Sequence, residues 1–510
     1  MSASRPDSTV AELVDAFTSA TPGDLGQRFH ELVDAVWKDG RRTGLSLAAA
    51  TELVELIDRV DDERTGRIAV LLGLLAEAEY PDHAGEVFDT IAARTGTYLD
   101  LLRAATPGEP PALALFYLLA HFPEVRPRLV AIGERHALSA ADLSRIDRAG
   151  QELDPAHPVL GRVFPSPAEW TLDEGEQDFD QSWISALTPE QIVANWHNDT
   201  RTVFGSIGAK AYWAVCHGTP AAVVQGSVPA RDVIPTPPPG TGEDLFAPHA
   251  AAMRCPACGG GLDFAGGAAT CGGCAASYPL ANGVLNLLPN SGDGDDFLRK
   301  LSEIPTMGLF YEALARPAFL RVSGANWGFD VSPADEDDYI ARHVLPVDGP
   351  VLDLAAGAGR WTEVLADTVG HERVVALDVN PAMLNVLRGR LPWIPSVLAS
   401  ASTLPFDDAS LGAVLCWNAL QAFPDDAPAA IAEVGRCLKP GGSFTFLTFH
   451  RSPDPVYDYF QRCHRFPQHN DGLRLFDLDE LRSWVAAAGL TVVDESGPGT
   501  FVIMTATRNG

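Results

Sequence analysis

Residues 350–361 read Pro-Val-Leu-Asp-Leu-Ala-Ala-Gly-Ala-Gly-Arg-Trp. Pro350 to Leu354 has the apolar run of a short buried strand, Ala355 to Gly359 is a turn of small residues, and Trp361 to Thr368 has helical character. Strand, glycine turn and helix in this order open a doubly wound α/β sheet, where glycines let the backbone approach a nucleotide-like cofactor at the carboxyl edge. A single G-x-G is a weak signal, so the residues around it decide its weight. Val374-Val-Ala-Leu-Asp378 reads as a second strand ending in an acid 19 residues after Gly359. A carboxylate there can accept both hydroxyls of a ribose; the bland alternative is a surface Asp at a strand end.

Three further segments continue the pattern. Leu404-Pro-Phe-Asp-Asp408 precedes an apolar strand at 413–416, and Glu433 to Gly442 leads into a strand from Ser443 to Phe449. Leu475 to Leu481 opens a helix ending at Ala488-Gly489, after which 490–493 and 501–505 can form a closing hairpin. Five motifs in this order, over about 345–508, resemble the class I S-adenosylmethionine-dependent methyltransferases related to the ubiquinone/menaquinone C-methyltransferases. The resemblance implies that Asp353, Ala355, Gly357 and Gly359 line the methionine end of S-adenosylmethionine. It places Asp378 on the ribose and Val379 and Met383 near the adenine. Relatives usually carry an acid before Leu-Pro-Phe; here the segment is Ala399-Ser400-Ala401, so Ser400 stands where the carboxylate would, which forgoes a charge-assisted hydrogen bond. Gln421 occupies a position where many relatives have His.

Methyl transfer from a sulfonium is an in-line displacement with a good leaving group, so alignment and water exclusion dominate. An acceptor hydroxyl benefits from a general base, whereas an unprotonated amine needs none. The candidate bases lie in the stretch from Phe449 to Gly472, expected to cross the mouth of the site: His450, His464 and His469. Each alone also reads as an ordinary surface or structural histidine. Trp417 and Asn418, after the fourth strand, are expected to face the cofactor or acceptor.

Upstream, Cys255-Pro-Ala-Cys258 and Cys271-Gly-Gly-Cys274 are separated by 12 residues. Two C-x-x-C turns complete a tetrahedral four-thiolate shell for Zn²⁺, and four protein ligands leave no open position, so the expected metal is structural. Redox dithiols and an incomplete site are the alternatives. The following Tyr278-Pro-Leu-Ala-Asn-Gly-Val-Leu-Asn-Leu-Leu-Pro289 resembles, over roughly 253–290, the ribbon of the zinc-containing 23S rRNA guanine-N1 methyltransferases and of Trm112-like segments. The remaining cysteines, Cys216, Cys416, Cys437 and Cys463, are scattered, which does not describe a disulfide framework and suits a reducing compartment.

Residues from about 9 to 150 carry apolar stripes at helical spacing, such as Leu53, Val54, Leu56, Ile57 and Val60. Breaks at Pro81, Thr106-Pro-Gly108, Pro110-Pro111 and Phe122-Pro123 punctuate them, as in a helical bundle or an irregular solenoid. The acids between Asp173 and Asp180 read as a solvated loop, and Trp170, Trp183, Trp196 and Trp213 as core or as a docking face. Ile234-Pro-Thr-Pro-Pro-Pro-Gly-Thr-Gly242 reads as an extended spacer. The expected architecture is therefore multidomain: an all-α N-terminal domain over 1–230, a Pro-rich linker over 231–250, a small Cys₄ zinc ribbon over 251–292, and a C-terminal α/β Rossmann-like class I methyltransferase over 293–510.

The net charge of −30 is shared, −16 in the first 240 residues and −14 in the rest. A field of this sign repels phosphate backbones and argues against nucleic-acid binding. No uninterrupted apolar run reaches the ~18 residues of a membrane span, and the first residues lack the apolar core of a secretion signal, so a cytoplasmic location is expected. The reading is a methyltransferase acting on a small-molecule acceptor of specialised metabolism. Its helical domain would shape the acceptor site or dock a protein or peptide partner. Methylation of an RNA base, methylation of a peptide or protein, and a non-catalytic scaffold with a vestigial cofactor fold are the alternatives.

Overall fold

The computed structural model describes residues 6–154, 156–157, 174–221, 236–288, 316, 320, 326–328, 330–465 and 474–510. They divide into two compact units, each assembled from three pieces of chain.

The first unit gathers Met1–Val223, Ala318–Gly328 and Ser452–Leu473. It is helical, from Pro6–Thr18 through Ala140–Ala149, and it closes on the long helix Pro189–His217. That helix starts with Pro189 in its first turn and a capping box, in which Thr188 and Gln191 satisfy each other's backbone N–H groups. The helix Asp62–Glu77 begins on the Asp61 side chain, which accepts from the Arg64 N–H. Every residue from Thr65 to Glu77 is buried, as is Ala112 to Leu119 on the helix Pro110–Leu119. Gly73 lets these two helices meet, since a Cβ there would lie 2.4 Å from the Tyr117 ring. Of the acids expected in a loop, Glu174, Glu176, Asp178 and Asp180 fall instead within the helix Glu174–Ser185, and Asp173 lies outside the described residues. Trp196 is buried, Trp183 and Trp213 are half-buried, and Trp170 lies outside the described residues.

The third piece of this unit lies within the span 293–510 expected for the methyltransferase domain. Ser452–Leu473 belongs to the helical unit, not to the sheet unit. Asp454 caps the helix Pro455–Arg462 by accepting from the N–H groups of Val456 and Tyr457. Val456 and Phe460 then join the same apolar cluster as Leu71, Tyr117 and Tyr212. Gly208 admits Phe460 at a distance that a Cβ, 2.2 Å from its ring, would forbid.

The second unit gathers Val224–Pro317, Phe329–Arg451 and Arg474–Gly510. The short pair β1 (Trp37–Lys38) and β2 (Arg41–Arg42) belongs to the helical unit; the strands that follow all belong here. They are β3 (Leu262–Ala265), β4 (Ala268–Cys271), β5 (Ser277–Ala281), β6 (Val284–Asn286), β7 (Val351–Leu354), β8 (Val374–Asp378) and β9 (Ser396–Leu398). After them come β10 (Leu411–Trp417), β11 (Leu438–Phe449), β12 (Leu490–Ser496) and β13 (Phe501–Arg508). One sheet holds all eleven, in the order β12-β13-β11-β10-β7-β8-β9-β6-β5-β4-β3. β7 to β11 run parallel and are apolar and almost wholly buried, as strands covered on both faces must be. The expected closing hairpin is the antiparallel pair β12 and β13.

The segment read as a separate ribbon continues this sheet. β6 pairs in parallel with β9, Leu285 opposite Val397, and Leu262, Leu280 and Leu285 share the apolar core of β7 and β8. The expected linker is likewise partly built in: Phe246, on a helical turn Glu243–Phe246, is fully buried and stacks on Phe264 at 5.2 Å. Among the described residues no helix is long and apolar enough to cross a membrane.

Candidate functional site

β7, β8 and β10 end side by side at the carboxyl edge of the sheet, and the turns that follow them enclose a cavity of about 300 Å³. Ala355, Gly357, Asp378, Val379, Met383, Ser400, Ala401, Trp417 and Asn418 all line it. Two expected residues stand behind the wall. Asp353, 2% exposed, accepts from the Thr362 hydroxyl at 2.5 Å and ties β7 to the helix Arg360–Val369. Gly359 takes a left-handed φ of 89° and packs on Leu387, which a Cβ would approach to 2.8 Å.

Asp378 is the electrostatic centre. One oxygen accepts from the Gly357 N–H at 2.8 Å and the other from the Asn380 N–H at 2.9 Å. Burial raises its pKa, with those backbone N–H groups opposing the shift. Burial pushes the Asp353 carboxyl up to about 7, the Thr362 bond opposing and the Asp378 charge adding. A carboxylate has about four acceptor positions, so Asp378 keeps capacity for a ligand's hydroxyls. Ala355 and Asn418 both hold left-handed backbone, with φ of 59° and 56°, at the ends of β7 and β10. Such conformations persist where surrounding structure enforces them. For Asn418 the enforcement is visible: Gln421 donates to its carbonyl at 2.8 Å and accepts from the Thr448 hydroxyl at 3.0 Å. The Ser400 hydroxyl lies 2.8 Å from the Ser402 hydroxyl and accepts from the Ser402 N–H at 3.2 Å, and so shapes its own loop.

Of the candidate histidines, neither His450 nor His464 is in the lining of this cavity. His450 directs both ring nitrogens at backbone carbonyls, those of Arg451 at 2.7 Å and Gly499 at 3.1 Å. His464 is buried within the helical unit, and His469 lies outside the described residues. Sequence reasoning also passed over Arg360, Trp361, Asn380 and Phe423, which are in the lining. Asn380 carried a readable signal, an Asn directly before Pro381, and it does cap the helix Pro381–Arg390.

At the other end of the sheet the four paired cysteines converge, all Sγ atoms within 4.8 Å of one another. Cys255 and Cys274 are 3.8 Å apart, and Cys258 and Cys271 3.4 Å. Two matching turns produce this, with the Gly259 N–H donating to the Cys255 carbonyl and the Ala275 N–H to that of Cys271. Gly260 leaves room for the cluster, since a Cβ there would lie 3.0 Å from the Cys271 sulfur.

A sequence profile for a methyltransferase domain matches residues 351–442. The demethylmenaquinone methyltransferase of Clavibacter sepedonicus is 33% identical over 175 residues, covering 30% of this chain and 70% of its own length. The malonyl-[acyl-carrier protein] O-methyltransferase of Halorhodospira halophila is 35% identical over 133 residues, covering 24% and 44%. A crystallised methyltransferase of Bacillus halodurans aligns with 35% of this chain and all of its own, at 18% identity and a TM-score of 0.31. The chain thus spans 70% of the first of these relatives and under half of the second.

Proposed function

This chain belongs to the S-adenosylmethionine-dependent methyltransferases, and from that premise we propose that it methylates a small-molecule acceptor, with the donor in the cavity at the Gly357 turn. The observation that carries the reading is the Asp378 carboxylate held by the Gly357 N–H at the floor of a cavity that side chains do not fill. Asp378 would take the ribose hydroxyls, Val379 and Met383 the adenine, and the turn from Ala355 to Gly359 the methionine end. The donor, when bound, supplies an electrophilic methyl group. The chain's part is to orient the donor and to exclude water with the mainly apolar walls, Trp361, Trp417 and Phe423 among them. A small acceptor is supported by demethylmenaquinone, the substrate named for the first relative above. The net charge of −30 weighs against the RNA acceptor that the ribbon's resemblance suggests.

The cysteine cluster is read as a structural Zn²⁺ centre. Thiolates about 2.3 Å from a tetrahedral zinc are about 3.8 Å apart, close to the spacings of 3.4 and 3.8 Å here. The acidic helical unit is assigned to acceptor recognition or partner docking.

Calorimetry tests the donor site. S-adenosylmethionine should bind the purified protein, and Asp378→Ala should weaken binding about a hundredfold, the loss of two charge-assisted hydrogen bonds. Absence of binding by the wild type would overturn the assignment. Incubation with methyl-labelled donor and a cell extract tests the acceptor: label is expected in low-mass products, and label confined to RNA or protein would refute a small acceptor. Elemental analysis should find about one zinc per chain, lost in Cys258→Ser.

A further inference from the structure

Behind the cavity lies a buried charge that neither the motifs nor the proposed donor contacts use. Glu336, 2% exposed, sits on the helix Pro333–His343 one turn before Tyr339. Residues three apart share a helix face, and both reach Trp417. Glu336 Oε2 accepts the indole N–H at 2.7 Å, and the Tyr339 ring lies 5.9 Å from the indole. Tyr339 is itself fixed, donating to Asp494 at 2.7 Å and lying 3.2 Å from the Thr505 hydroxyl. The other oxygen of Glu336 accepts from Arg316 Nη2, and that guanidinium lies 5.1 Å over the Trp361 ring. One carboxylate is therefore joined, on either side, to the two indoles that wall the cavity.

A neutral acceptor would satisfy an indole N–H without the cost of burying a charge. The charge has a use if the ring meets a cation. A carboxylate bound to the N–H both fixes the indole plane and pushes electron density onto its face, where a cation is attracted. We propose that Glu336 is a positioning residue for methyl transfer, holding Trp417 directly and Trp361 through Arg316 so that the electron-rich indole face of Trp417 receives the sulfonium of the donor. This rests on the reading of the cavity as the donor site. It predicts discrimination between the cationic donor and its neutral thioether product, which helps product leave after transfer.

The test is calorimetric titration of the full chain with S-adenosylmethionine and with S-adenosylhomocysteine. Glu336→Gln should weaken the sulfonium ligand about threefold to tenfold and the thioether less than about twofold. Trp417→Phe, which removes the N–H and leaves the Glu336–Arg316 pair in place, should narrow the discrimination in the same direction. Adding Glu336→Gln to Trp417→Phe should change the ratio no further. Equal weakening of both ligands by Glu336→Gln overturns the proposal, and so does an undiminished effect in the Trp417→Phe background. If Glu336→Gln fails to fold, shown by loss of its thermal transition, Trp417→Phe decides alone: an unchanged ratio refutes the proposal. A wild type that binds neither ligand removes the donor site itself, a different failure from a wild type that binds both and a variant that does not discriminate.

Discussion

Each unit buries carboxylates, and the two units satisfy them by different means. In the sheet unit Asp378 is held by backbone N–H groups of its own turn and of the neighbouring one, at Asn380 and Gly357. In the helical unit Glu77, fully desolvated, is held by side chains: the hydroxyls of Tyr117 at 2.6 Å and Tyr459 at 2.7 Å. Burial pushes the Glu77 carboxyl up to about 7, the two tyrosine bonds and the charges of Arg201 and Arg465 opposing. Beside it His121 is fully buried, its pKa driven well below the ordinary value by burial, so it brings no positive charge at neutral pH. Backbone donors come with the fold and leave the carboxylate free to meet a ligand. Side-chain donors must be brought from distant positions, and here they spend the carboxylate on holding the unit together.

If that contrast is right, removing Glu77 should harm stability, and removing Asp378 should harm binding. Glu77→Ala leaves two hydroxyls without their acceptor and opens a cavity, and should lower the unfolding free energy of the helical unit by about 4 kcal/mol in urea titration. An effect below about 1 kcal/mol would break the contrast.

The pH dependence sharpens it. Glu77 titrates near 7 when folded against an ordinary value of 4.5, so the folded state holds a proton that the unfolded chain has released. Stability from this group is full below pH 4.5 and is lost as pH rises through about 7. Between these limits the wild type should lose about 3 kcal/mol more than Glu77→Gln does, measured as paired denaturation curves at several pH values. Parallel curves would refute the assignment.

The smallest effect expected is a gain. Ser400→Asp restores a charge at the cavity loop and should tighten S-adenosylmethionine binding about threefold to tenfold without shifting the melting temperature, read by calorimetry and thermal denaturation. No change would place the adenine away from Ser400.

The same contrast explains how much could be read from the chain. Every expected cofactor residue either lines the cavity or stands directly behind it, because the motif is contiguous and its partners are backbone atoms of neighbouring strands. The paired cysteines converge for a similar reason: each pair sits on one tight turn. The place of His464 is not legible in the sequence, because nothing local says with which unit a polar segment will pack. Ser452–Leu473 looks like a loop of the sheet unit by its place in the sequence, yet its apolar residues Val456 and Phe460 are buried among helices built from the first 215 residues. Glu336 was missed for the mirror reason. An acid in the first turn of a helix is ordinary, and only the fold shows it touching Arg316 and Trp417.

That late-arriving helix also constrains how the protein comes into being. The first 217 residues leave the ribosome long before Pro455–Arg462 is made. Until then the slots for Val456, Phe460 and Tyr459, the second of the two tyrosines that bond Glu77, have no occupant. The helical unit therefore cannot finish folding during synthesis of its own N-terminal part. It must wait, incomplete and with apolar surface bare, while most of the sheet unit is translated, a state prone to association and suited to chaperone protection. A gene cut anywhere between Val223 and Ser452 would make that waiting state permanent.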